Sequence, residues 1–433
     1  MKNDQLVPPA FLTAPDYYQT LGPEVVDLGK LCYFEANPEQ QLILEHQFAF
    51  DRRGRFTSFE VAIFGARQNV KTGALKLGAI GKIWLLRRPL LVWTAHLFDT
   101  AQESFLELCT LIESAPELDR HVKKIHYGNG DEQIELKWGS RIKFKARNAA
   151  KGGRGFAGDD VDWDEAMFLQ AQHIGALMPI MSTKPNPQMT YAGSGGLAGS
   201  KVQRGLRNRG RRPGGDRRLT YVEWTSERKV GEKPNGDPIW GPPPCRLEDC
   251  DHTIRRKGCI LDNREVIQLS NPSLERSAPP SISWEYIVDE RRTLSATPEG
   301  IVELLRERHM VWDDTEDDGD RAFDPQRWAR LAMPAAPKPS KVWAYIAASP
   351  DGKRFSVGVA GAGPDGKTLL LVKNKSGKRW VVKRLKAMKD RGELAGVALN
   401  PNTQASAVVA DLKAAGIEFK TATGVESGEA CTG

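Results

Sequence analysis

Residues 58–72 read SFEVAIFGARQNVKT, an apolar segment followed directly by a loop of small and polar residues. Ser58 to Phe64 predicts a buried strand, because the segment is short and apolar and stops at Gly65. From Thr72 to Leu86 apolar residues recur at helical spacing, which predicts a helix. A strand, a loop and a helix in this order form the setting in which phosphate-binding loops occur.

The loop matches the P-loop pattern G-x-x-x-x-G-K-[ST] at Gly65, Lys71 and Thr72. In that motif backbone N–H groups surround the phosphates of ATP, the lysine reaches the β- and γ-phosphates, and the hydroxyl binds Mg²⁺. Val70 replaces the second glycine. Because a β-branched residue tolerates positive φ poorly, the loop must adopt another backbone or bind more weakly. An ordinary turn before a helix is the alternative. The candidate nucleotide-binding residues are Gly65, Ala66, Arg67, Gln68, Asn69, Val70, Lys71 and Thr72.

A second candidate element, VDWDEA at residues 161–166, follows about 90 residues later. It ends a predicted strand with two adjacent carboxylates, which is the Walker B arrangement. Asp164 would hold the Mg²⁺, and Glu165 would orient and deprotonate the attacking water. The strand is unusually polar, with aspartates over residues 159–162, and an acidic turn without function is the alternative. Because both elements follow strands in the expected order, together they predict an NTPase.

The sequence around these motifs alternates strands with helices. Pro89 to Thr94 predicts another buried strand, and Asp99 to Ser114 predicts an amphipathic helix. Gln133 to Arg147 predicts a hairpin that turns at Trp138-Gly139-Ser140. The alternation predicts an α/β fold with a parallel sheet.

Composition places the chain among ordinary soluble globular proteins. Of its 433 residues, 40% are hydrophobic and 27% are charged, which excludes wholesale disorder, a fibrous repeat and a disulfide scaffold. No run approaches the length of a membrane span, and the first residues lack the apolar core of a signal peptide, so we expect a cytoplasmic protein without a membrane partner. The formal net charge of +7 matters only where basic residues cluster.

Such a cluster lies between Lys201 and Arg218, where glycines separate many arginines. One interpretation is a solvated flexible loop, and the other is a loop that contacts DNA phosphates. Charge density alone does not separate them. The candidate DNA contacts are Arg204, Arg207, Arg209, Arg211 and Arg212.

Three of the six cysteines crowd into one short segment, Cys245-x4-Cys250-x-His252-x6-Cys259. Zn²⁺ prefers four tetrahedral sulfur and nitrogen ligands, and a segment with little core gains most from such an ion. The spacing is not a common finger pattern, so unpaired reduced thiols are the alternative to a structural zinc site. Four protein ligands would leave no open position for catalysis.

Two composition shifts divide the chain. An acidic run from Asp313 to Asp320 and a Pro/Ala-rich segment after it mark a linker. We therefore expect one domain over residues 1–320, a linker over 321–340 and a second domain over 341–433. In the second domain Lys341 to Ala348, Phe355 to Ala360 and Lys367 to Val372 predict strands, and Ser406 to Ala415 predicts a helix.

With both nucleotide motifs in view, the chain resembles the large subunit of tailed-phage terminases, most closely those of actinobacterial phages. The resemblance runs from about residue 30 to the C-terminus and includes a family variant with valine at the second P-loop glycine. It rests on Ala66 to Thr72, Trp93 to His96 with Asp99 to Ala101, Gly153 to Gly155, Asp164 to Ala166 and Tyr191 to Ser194.

The resemblance implies a P-loop ATPase domain of the RecA or ASCE type, with ATP and Mg²⁺ as ligands. Arg67 resembles the arginine that acts in cis on the γ-phosphate, so the catalytic residues would be Lys71, Arg67 and Glu165. Gln40 resembles the glutamine that reads adenine, and Gly193 and Ser194 resemble the motif that couples hydrolysis to domain movement. Arg147 and Arg154 would be phosphate sensors or DNA contacts.

The second domain resembles an RNase H-like nuclease that has lost its metal site. Ala347 stands where the family has its first metal-binding aspartate, and Asn400 stands at the second acidic position. The third would lie beyond Gly433, so a truncated domain is expected. Asp351 lies nearby, in an Asp-Gly turn that its position already explains. Two-metal cleavage of DNA needs carboxylates, so nuclease activity is not expected.

The function implied is that of an ATP-driven motor that moves double-stranded DNA through a portal into a prohead. By resemblance its partners are the portal protein, a small terminase subunit and further copies of this chain in a ring, within the cytoplasm of a bacterial host. One alternative is a prophage remnant that binds DNA or assists assembly without turning over ATP. Another is a helicase-like nucleic-acid ATPase, although no further helicase motif is seen.

Overall fold

The computed structural model describes residues 5–128, 130–147, 158–232, 238–245, 247, 250, 252–253, 256, 258–276, 282–313, 339, 341–349, 352–363 and 366–422. The chain divides into two compact units, Met1–Gly319 and Asp320–Gly433. Most of the predicted linker, residues 321–340, lies outside the described residues.

The first unit contains strands β1 to β13 and helices α1 to α10. The strands are β1 Phe11–Thr13, β2 Gln19–Thr20, β3 Ala49–Phe50, β4 Glu60–Phe64, β5 Leu90–Ala95, β6 Val122–His126, β7 Gln133–Leu136, β8 Arg141–Ala146, β9 Asp160–Trp163, β10 Gln188–Gly193, β11 Leu219–Glu223, β12 Arg228–Glu232 and β13 Pro238–Gly241. The helices are α1 Gly22–Leu31, α2 Pro38–Gln47, α3 Lys71–Ile80, α4 Phe98–Glu113, α5 Pro116–Asp119, α6 Ala171–Met181, α7 Lys201–Gly210, α8 Arg264–Ser270, α9 Trp284–Leu294 and α10 Pro298–His309. Helix α3 continues as a π-helical turn, Gly81–Leu85.

The described residues of this unit build a nine-stranded sheet in the order β1-β11-β4-β10-β9-β5-β8-β7-β6. Strands β11, β4, β10, β9, β5 and β8 run parallel, which confirms the predicted parallel α/β sheet. The predicted hairpin is present as β7 and β8, which pair antiparallel. Because the central strands are parallel, their carboxyl ends meet at one edge, where ligands bind in open α/β sheets.

Helices cover both faces of this sheet, as buried parallel strands require. On one face Leu75 of α3 and Leu108 of α4 pack against Trp93. On the other face Ile180 of α6 and Leu206 of α7 join the same core as Val92. Neighbouring residues of β5 thus serve opposite layers, because side chains alternate along a strand.

The polar strand β9 is accommodated by buried ion pairs. Asp162 accepts a hydrogen bond of 2.9 Å from the Nζ of Lys82, and neither side chain is exposed. Asp160 pairs with the guanidinium of Arg88 at 2.7 Å. Buried charges are tolerated when they are paired in this way, so the aspartates do not argue against a central strand.

Only the second part of the basic stretch, residues 211–218, lacks helix and strand, although the glycines throughout the stretch are typical of a loop. Residues Lys201–Gly210 form α7, whose buried Leu206 packs on the sheet. A Cβ atom at Gly210 would lie 2.1 Å from the ring of Tyr221, so this glycine permits close packing of the helix rather than a flexible turn.

The second unit is a smaller mixed sheet. Its strands are β14 Val342–Ala348, β15 Arg354–Ala362, β16 Thr368–Ser376, β17 Leu394–Leu399 and β18 Lys420–Thr421, and its helices are α11 Arg379–Asp390 and α12 Val409–Ala414. The order is β16-β15-β14-β17-β18. The first three strands pair antiparallel, and β14, β17 and β18 pair in parallel. The predicted strands and helix are present.

Among the described residues, no helix is both long enough and apolar enough to cross a lipid bilayer.

Candidate nucleotide-binding site

The loop that follows β4, here called the Gly65 loop (residues 65–70), leads directly into α3. Its backbone resolves the conflict expected at Val70. That residue has φ −60° and ψ −22°, an ordinary right-handed conformation, and the positive φ of 56° falls on Gln68. The valine side chain is instead fully buried against Ile43 and Trp224. A glycine is therefore not needed at position 70.

Lys71, the first residue of α3, lies over the Gly65 loop. Its Nζ donates hydrogen bonds to the carbonyl oxygens of Gly65 and Ala66, at 2.6 and 2.5 Å. Burial lowers the pKa of Lys71 to about 8, against the opposing effect of the nearby carboxylates of Glu307 and Asp164. The predicted phosphate-binding lysine and the predicted magnesium ligand thus lie close enough to interact.

The acidic pair after β9 is held in a fixed arrangement. Glu165 has a φ of 50°, and its backbone N–H donates to Asp164 Oδ1 at 2.9 Å. Its Oε2 accepts a hydrogen bond of 3.1 Å from the backbone N–H of His96, which follows β5. A non-glycine residue with positive φ costs free energy and persists where surrounding contacts impose it, often at functional sites.

Burial raises the pKa of Asp164 to about 6, and the negative charge of Glu165 adds to this effect. Lys71 and Arg147 oppose it. Arg147 donates to the carbonyl oxygens of Thr94 and Glu165, both at 3.0 Å. The arginine therefore ties the end of β5 to the acidic pair. The other arginine predicted to flank this strand, Arg154, lies outside the described residues, as do Gly153 and Gly155.

Strand β10, which ends in the predicted coupling residues, lies between β4 and β9. The carbonyl of Gly193 accepts a hydrogen bond from the backbone N–H of Gly65, and that of Ser194 accepts one from Gln203 of α7. The hydroxyl of Ser194 is buried and has no hydrogen-bond partner within the described part of the chain. Of the two predicted coupling residues, Gly193 therefore contacts the Gly65 loop and Ser194 contacts α7.

Contacts with α10 and with the residues after α8, which the sequence analysis did not predict, support the Gly65 loop. The backbone N–H of Arg67 donates to the carbonyl of Glu307 in α10, and Arg308 donates back to the carbonyl of Arg67. Asn69 contacts Asn271 and the backbone of Ser273, just after α8. These partners lie more than two hundred residues along the chain, and no local signal marks them.

Gln40 lies beside the same loop, in the first turn of α2. Its Nε2 donates to the carbonyl of Val70 at 3.3 Å, and its Oε1 accepts from the backbone N–H of Asn37 as part of a capping box. A Cβ at Gly73 would collide with this amide, so the glutamine packs tightly on α3. Its adenine-reading role stays a prediction.

Three of the five candidate DNA contacts, Arg204, Arg207 and Arg211, have buried side chains. Arg204 and Arg207 are 3% exposed, and Arg211 is 5% exposed at its side chain. Arg211 pairs with Glu223 at 2.6 Å and with Glu227 at 2.7 Å. Their guanidinium groups neutralise or cap interior groups and do not face solvent.

The remaining contacts of the five candidate arginines range from buried to partly exposed. Arg204 donates to the carbonyl of Asp313, and Arg207 pairs with Glu227. Arg209, which is partly exposed, pairs with Glu60 and Asp216. Arg212 is exposed. For Arg209 and Arg212, contact with DNA stays a prediction.

The cysteine-rich segment brings its predicted ligands together. Suitable ligand atoms of Cys245, Cys250, His252 and Cys259 all lie within 4.8 Å of one another. This cluster is compatible with a metal site, and none of its cysteines is in a disulfide bond.

Two of the predicted nuclease positions, Ala347 and Asn400, lie within the described part of the second unit, and neither carries a carboxylate. Ile346 and Leu399 are partners in the parallel pair β14 and β17, so Ala347 and Asn400, which follow them, occupy neighbouring positions. The Asn400 Oδ1 accepts a hydrogen bond from the backbone N–H of Asn402. Asp351 lies outside the described residues. In the part of the chain that the structure describes, no three acidic groups gather as a metal site would require.

Comparison with solved structures identifies the architecture. The HK97 bacteriophage large terminase aligns with a TM-score of 0.54 and 14% sequence identity, covering 96% of this chain and 88% of that one. The chain has the fold of that large terminase. No family model and no curated protein matches its sequence.

Two further solved structures are similar at lower TM-scores. The large terminase of a thermophilic bacteriophage, solved in complex with ATP-γ-S, aligns at 12% identity over 89% of this chain and 82% of that one, with a TM-score of 0.35. The Phi-28 gp11 DNA packaging motor aligns at 9% identity over 79% of this chain and 81% of that one, with a TM-score of 0.28.

Proposed function

We propose that the first unit binds and hydrolyses ATP at the carboxyl edge of its parallel sheet. The observation that carries this proposal is that Lys71, whose amine contacts the Gly65 loop, and the pair Asp164 and Glu165 follow the parallel strands β4 and β9 of one sheet, with Glu165 held at positive φ. A lysine at a helix N-terminus and a carboxylate pair on the next strand but one are the parts that phosphoryl transfer needs. The fold shared with a large terminase supports the same assignment.

The donor set fits Mg²⁺, which prefers hard oxygen ligands. The Thr72 hydroxyl and the Asp164 carboxylate would hold the ion, which would neutralise charge on the β- and γ-phosphates. Asp164 is half-buried and lies within electrostatic range of Lys71, and neither proposed ligand is a thiol or an imidazole. The backbone of the Gly65 loop and Lys71 would bind the phosphates themselves.

In the chemical step, the oxygen of a water molecule forms a bond to the γ-phosphorus as the bond to the bridging oxygen of ADP breaks. Glu165 is assigned as the base that takes a proton from this water, since the His96 N–H fixes its carboxylate. Arg67 is exposed at the tip of the loop, where its guanidinium would stabilise charge on the transferred group.

We further propose that hydrolysis drives movement of double-stranded DNA, as the resemblance to terminases implies. Contacts with phosphates rather than bases would allow any sequence to pass. Gly193 and Ser194 join the Gly65 loop to α7, which gives a direct route from phosphate release to the rest of the unit. A portal, a small terminase subunit and a ring of copies of this chain are the partners expected for such a motor.

The test is phosphate release by the purified chain with Mg²⁺, in the presence and absence of linear double-stranded DNA. Lys71→Ala should abolish turnover, whereas Lys76→Ala, on the same helix and paired with Glu107, should leave it unchanged. Turnover that rises with DNA supports the motor. Turnover that survives Lys71→Ala contradicts the assigned site, and no turnover with DNA or partners would favour the prophage remnant.

A further inference from the structure

Four soft or borderline ligands converge in the segment that precedes α8. The Sγ atoms of Cys250 and Cys259 are 3.8 Å apart, and the Nδ1 of His252 lies 3.6 Å from the first and 3.3 Å from the second. The ligand atom of Cys245 completes the group within 4.8 Å. The four atoms thus form a compact set with no carboxylate among them.

The three separations among Cys250, His252 and Cys259 match the edges of a tetrahedral zinc site. Ligands at Zn–S distances of about 2.3 Å leave adjacent sulfur atoms about 3.8 Å apart, and a Zn–N bond shortens the mixed edge slightly. A disulfide would require sulfur atoms at about 2.0 Å. Simple thiol hydrogen bonds explain pairs of such groups but give no reason for four ligands to converge on one point.

The cluster is joined to the hydrophobic layer of α10. Cys259 is 1% exposed and packs with Leu261, Ile301 and Leu304. Cys245 and Cys250 pack against the same layer from outside. This layer is small, so an ion that ties its outer wall together would stabilise it more than it would a large core.

The far end of α10 supports the Gly65 loop. Glu307 accepts the Arg67 N–H through its carbonyl, and the carbonyl of Arg308 accepts hydrogen bonds from Ser270 and Asn271 at the end of α8. Asn271 in turn contacts Asn69. The short turn Ile260–Asp262 connects Cys259 to α8. One continuous set of contacts therefore runs from the cysteine cluster to the loop.

We propose that Cys245, Cys250, His252 and Cys259 bind one Zn²⁺, and that this ion acts as a structural clip that keeps α8 and α10 in position beneath the Gly65 loop. Four protein ligands leave no open coordination position, so the ion supports the site and takes no part in chemistry. The ion-binding claim is independent of ATP, whereas the consequence for nucleotide binding rests on the function proposed above.

The first experiment measures zinc per chain in protein purified under reducing conditions. One equivalent is expected in the unaltered chain and in Cys109→Ala, which removes a buried cysteine remote from the cluster. Cys250→Ala should lose the ion. Because that variant could also misfold, cobalt is titrated into the unaltered apo-chain, where visible bands typical of a tetrahedral thiolate are expected. A chain that holds no zinc and gives no such bands overturns the proposal.

The second experiment removes zinc from the unaltered chain with a chelator and restores it. Removal should lower the melting temperature and speed amide hydrogen exchange in residues 65–72, and zinc addition should reverse both changes. Weaker binding of a fluorescent ATP analogue should accompany them. Zinc that binds without altering exchange in the loop overturns the clip. Altered exchange with no nucleotide binding in the zinc-loaded chain would instead count against the proposed ATPase function.

Discussion

In the Gly65 loop, Val70 supplies a buried side chain and Gln68 supplies the residue with positive φ. Val70 is buried in a right-handed conformation, and Gln68 is exposed with a φ of 56°. The motif locates the loop in the sequence, but the backbone conformation of residues 67–70 depends on contacts with Asn271 and Glu307, which are remote in sequence. Of the two alternatives predicted for Val70, another backbone or weaker binding, the structure shows the first.

Restoring the usual glycine at position 70 should therefore harm the protein. We expect Val70→Gly to lower the free energy of unfolding by about 2–4 kcal/mol, because it removes a buried side chain and adds backbone freedom. Gln68→Gly should be neutral or stabilising by about 0.5–1 kcal/mol, because glycine adopts positive φ without strain. Urea denaturation of both variants measures these changes. A stable Val70→Gly with a destabilised Gln68→Gly would contradict the loop conformation.

At the scale of elements, buried ion pairs connect the strands that carry the site. Lys82, in the turn after α3, contacts Asp162 of β9 and Thr190 of β10 at 2.9 and 3.1 Å. Gln47 of α2 reaches the same Thr190 hydroxyl. The elements that hold the phosphate loop, the acidic pair and the coupling residues therefore share one polar network.

We expect Lys82→Met to lower the free energy of unfolding by about 3–5 kcal/mol, since it leaves a buried carboxylate without its partner. The double variant Lys82→Met, Asp162→Val should recover much of this loss, because both charges are then gone. Denaturation of the two single variants and the double variant gives the coupling energy. The exposed pair Lys30 and Asp27 is the matched control and should cost less than about 1 kcal/mol. Additive effects at Lys82 and Asp162 would refute the buried pair.

His309, the last residue of α10, should make the free energy of unfolding depend on pH. His309 is fully buried, and burial lowers its pKa from 6.5 to about 4. As pH falls, the unfolded chain takes up this proton first, so the contribution is complete above pH 6.5 and is lost progressively down to about pH 4. The full loss is about 3 kcal/mol.

Unfolding free energies at pH 7 and pH 5 measure this effect. In His309→Gln the difference between the two values should shrink, because the variant cannot titrate there. Equal pH dependence in the variant and the unaltered chain would show that His309 does not stay neutral in the folded protein.

How far the sequence predicts these elements depends on how local their causes are. The strand of Glu60–Phe64, helix α3 and the acidic pair follow from apolar periodicity and adjacent motif residues. Helix α7 was missed because its glycines and arginines are typical of loops. At the end of this helix, the carboxylates of Glu223 in β11 and of Glu227 neutralise Arg211. The ring of Tyr221, also in β11, packs against Gly210.

At the scale of the whole molecule, the chain combines a complete set of candidate ATPase groups with a second unit that has no carboxylates at the expected metal positions. The resemblance predicted both features from the sequence, and the activities that they imply stay predictions. The support of the Gly65 loop by α8 and α10 was not anticipated, since hydrogen bonds across two hundred residues leave no pattern in a single sequence.

We expect supercoiled plasmid to remain intact when the chain is incubated with Mg²⁺ or Mn²⁺. A methyl group at Ala347 and an amide at Asn400 cannot hold two cations for phosphodiester cleavage. Because these positions are neighbours, the double variant Ala347→Asp, Asn400→Asp should gain Mn²⁺ binding that paramagnetic resonance can detect. Plasmid cutting by the unaltered chain would mean that other residues form a nuclease site.

The central claim is that Lys71 binds the phosphates of ATP and that Glu165 acts as the base in hydrolysis at the same site. Parallel measurements of ATP affinity and phosphate release test this claim most directly. Glu165→Gln should retain ATP affinity and lose hydrolysis by about 10²–10⁴-fold, as expected for a general base. Lys71→Ala should lose both, and the exposed Glu117→Gln should lose neither. A Glu165→Gln variant that hydrolyses ATP at the unaltered rate would contradict the account.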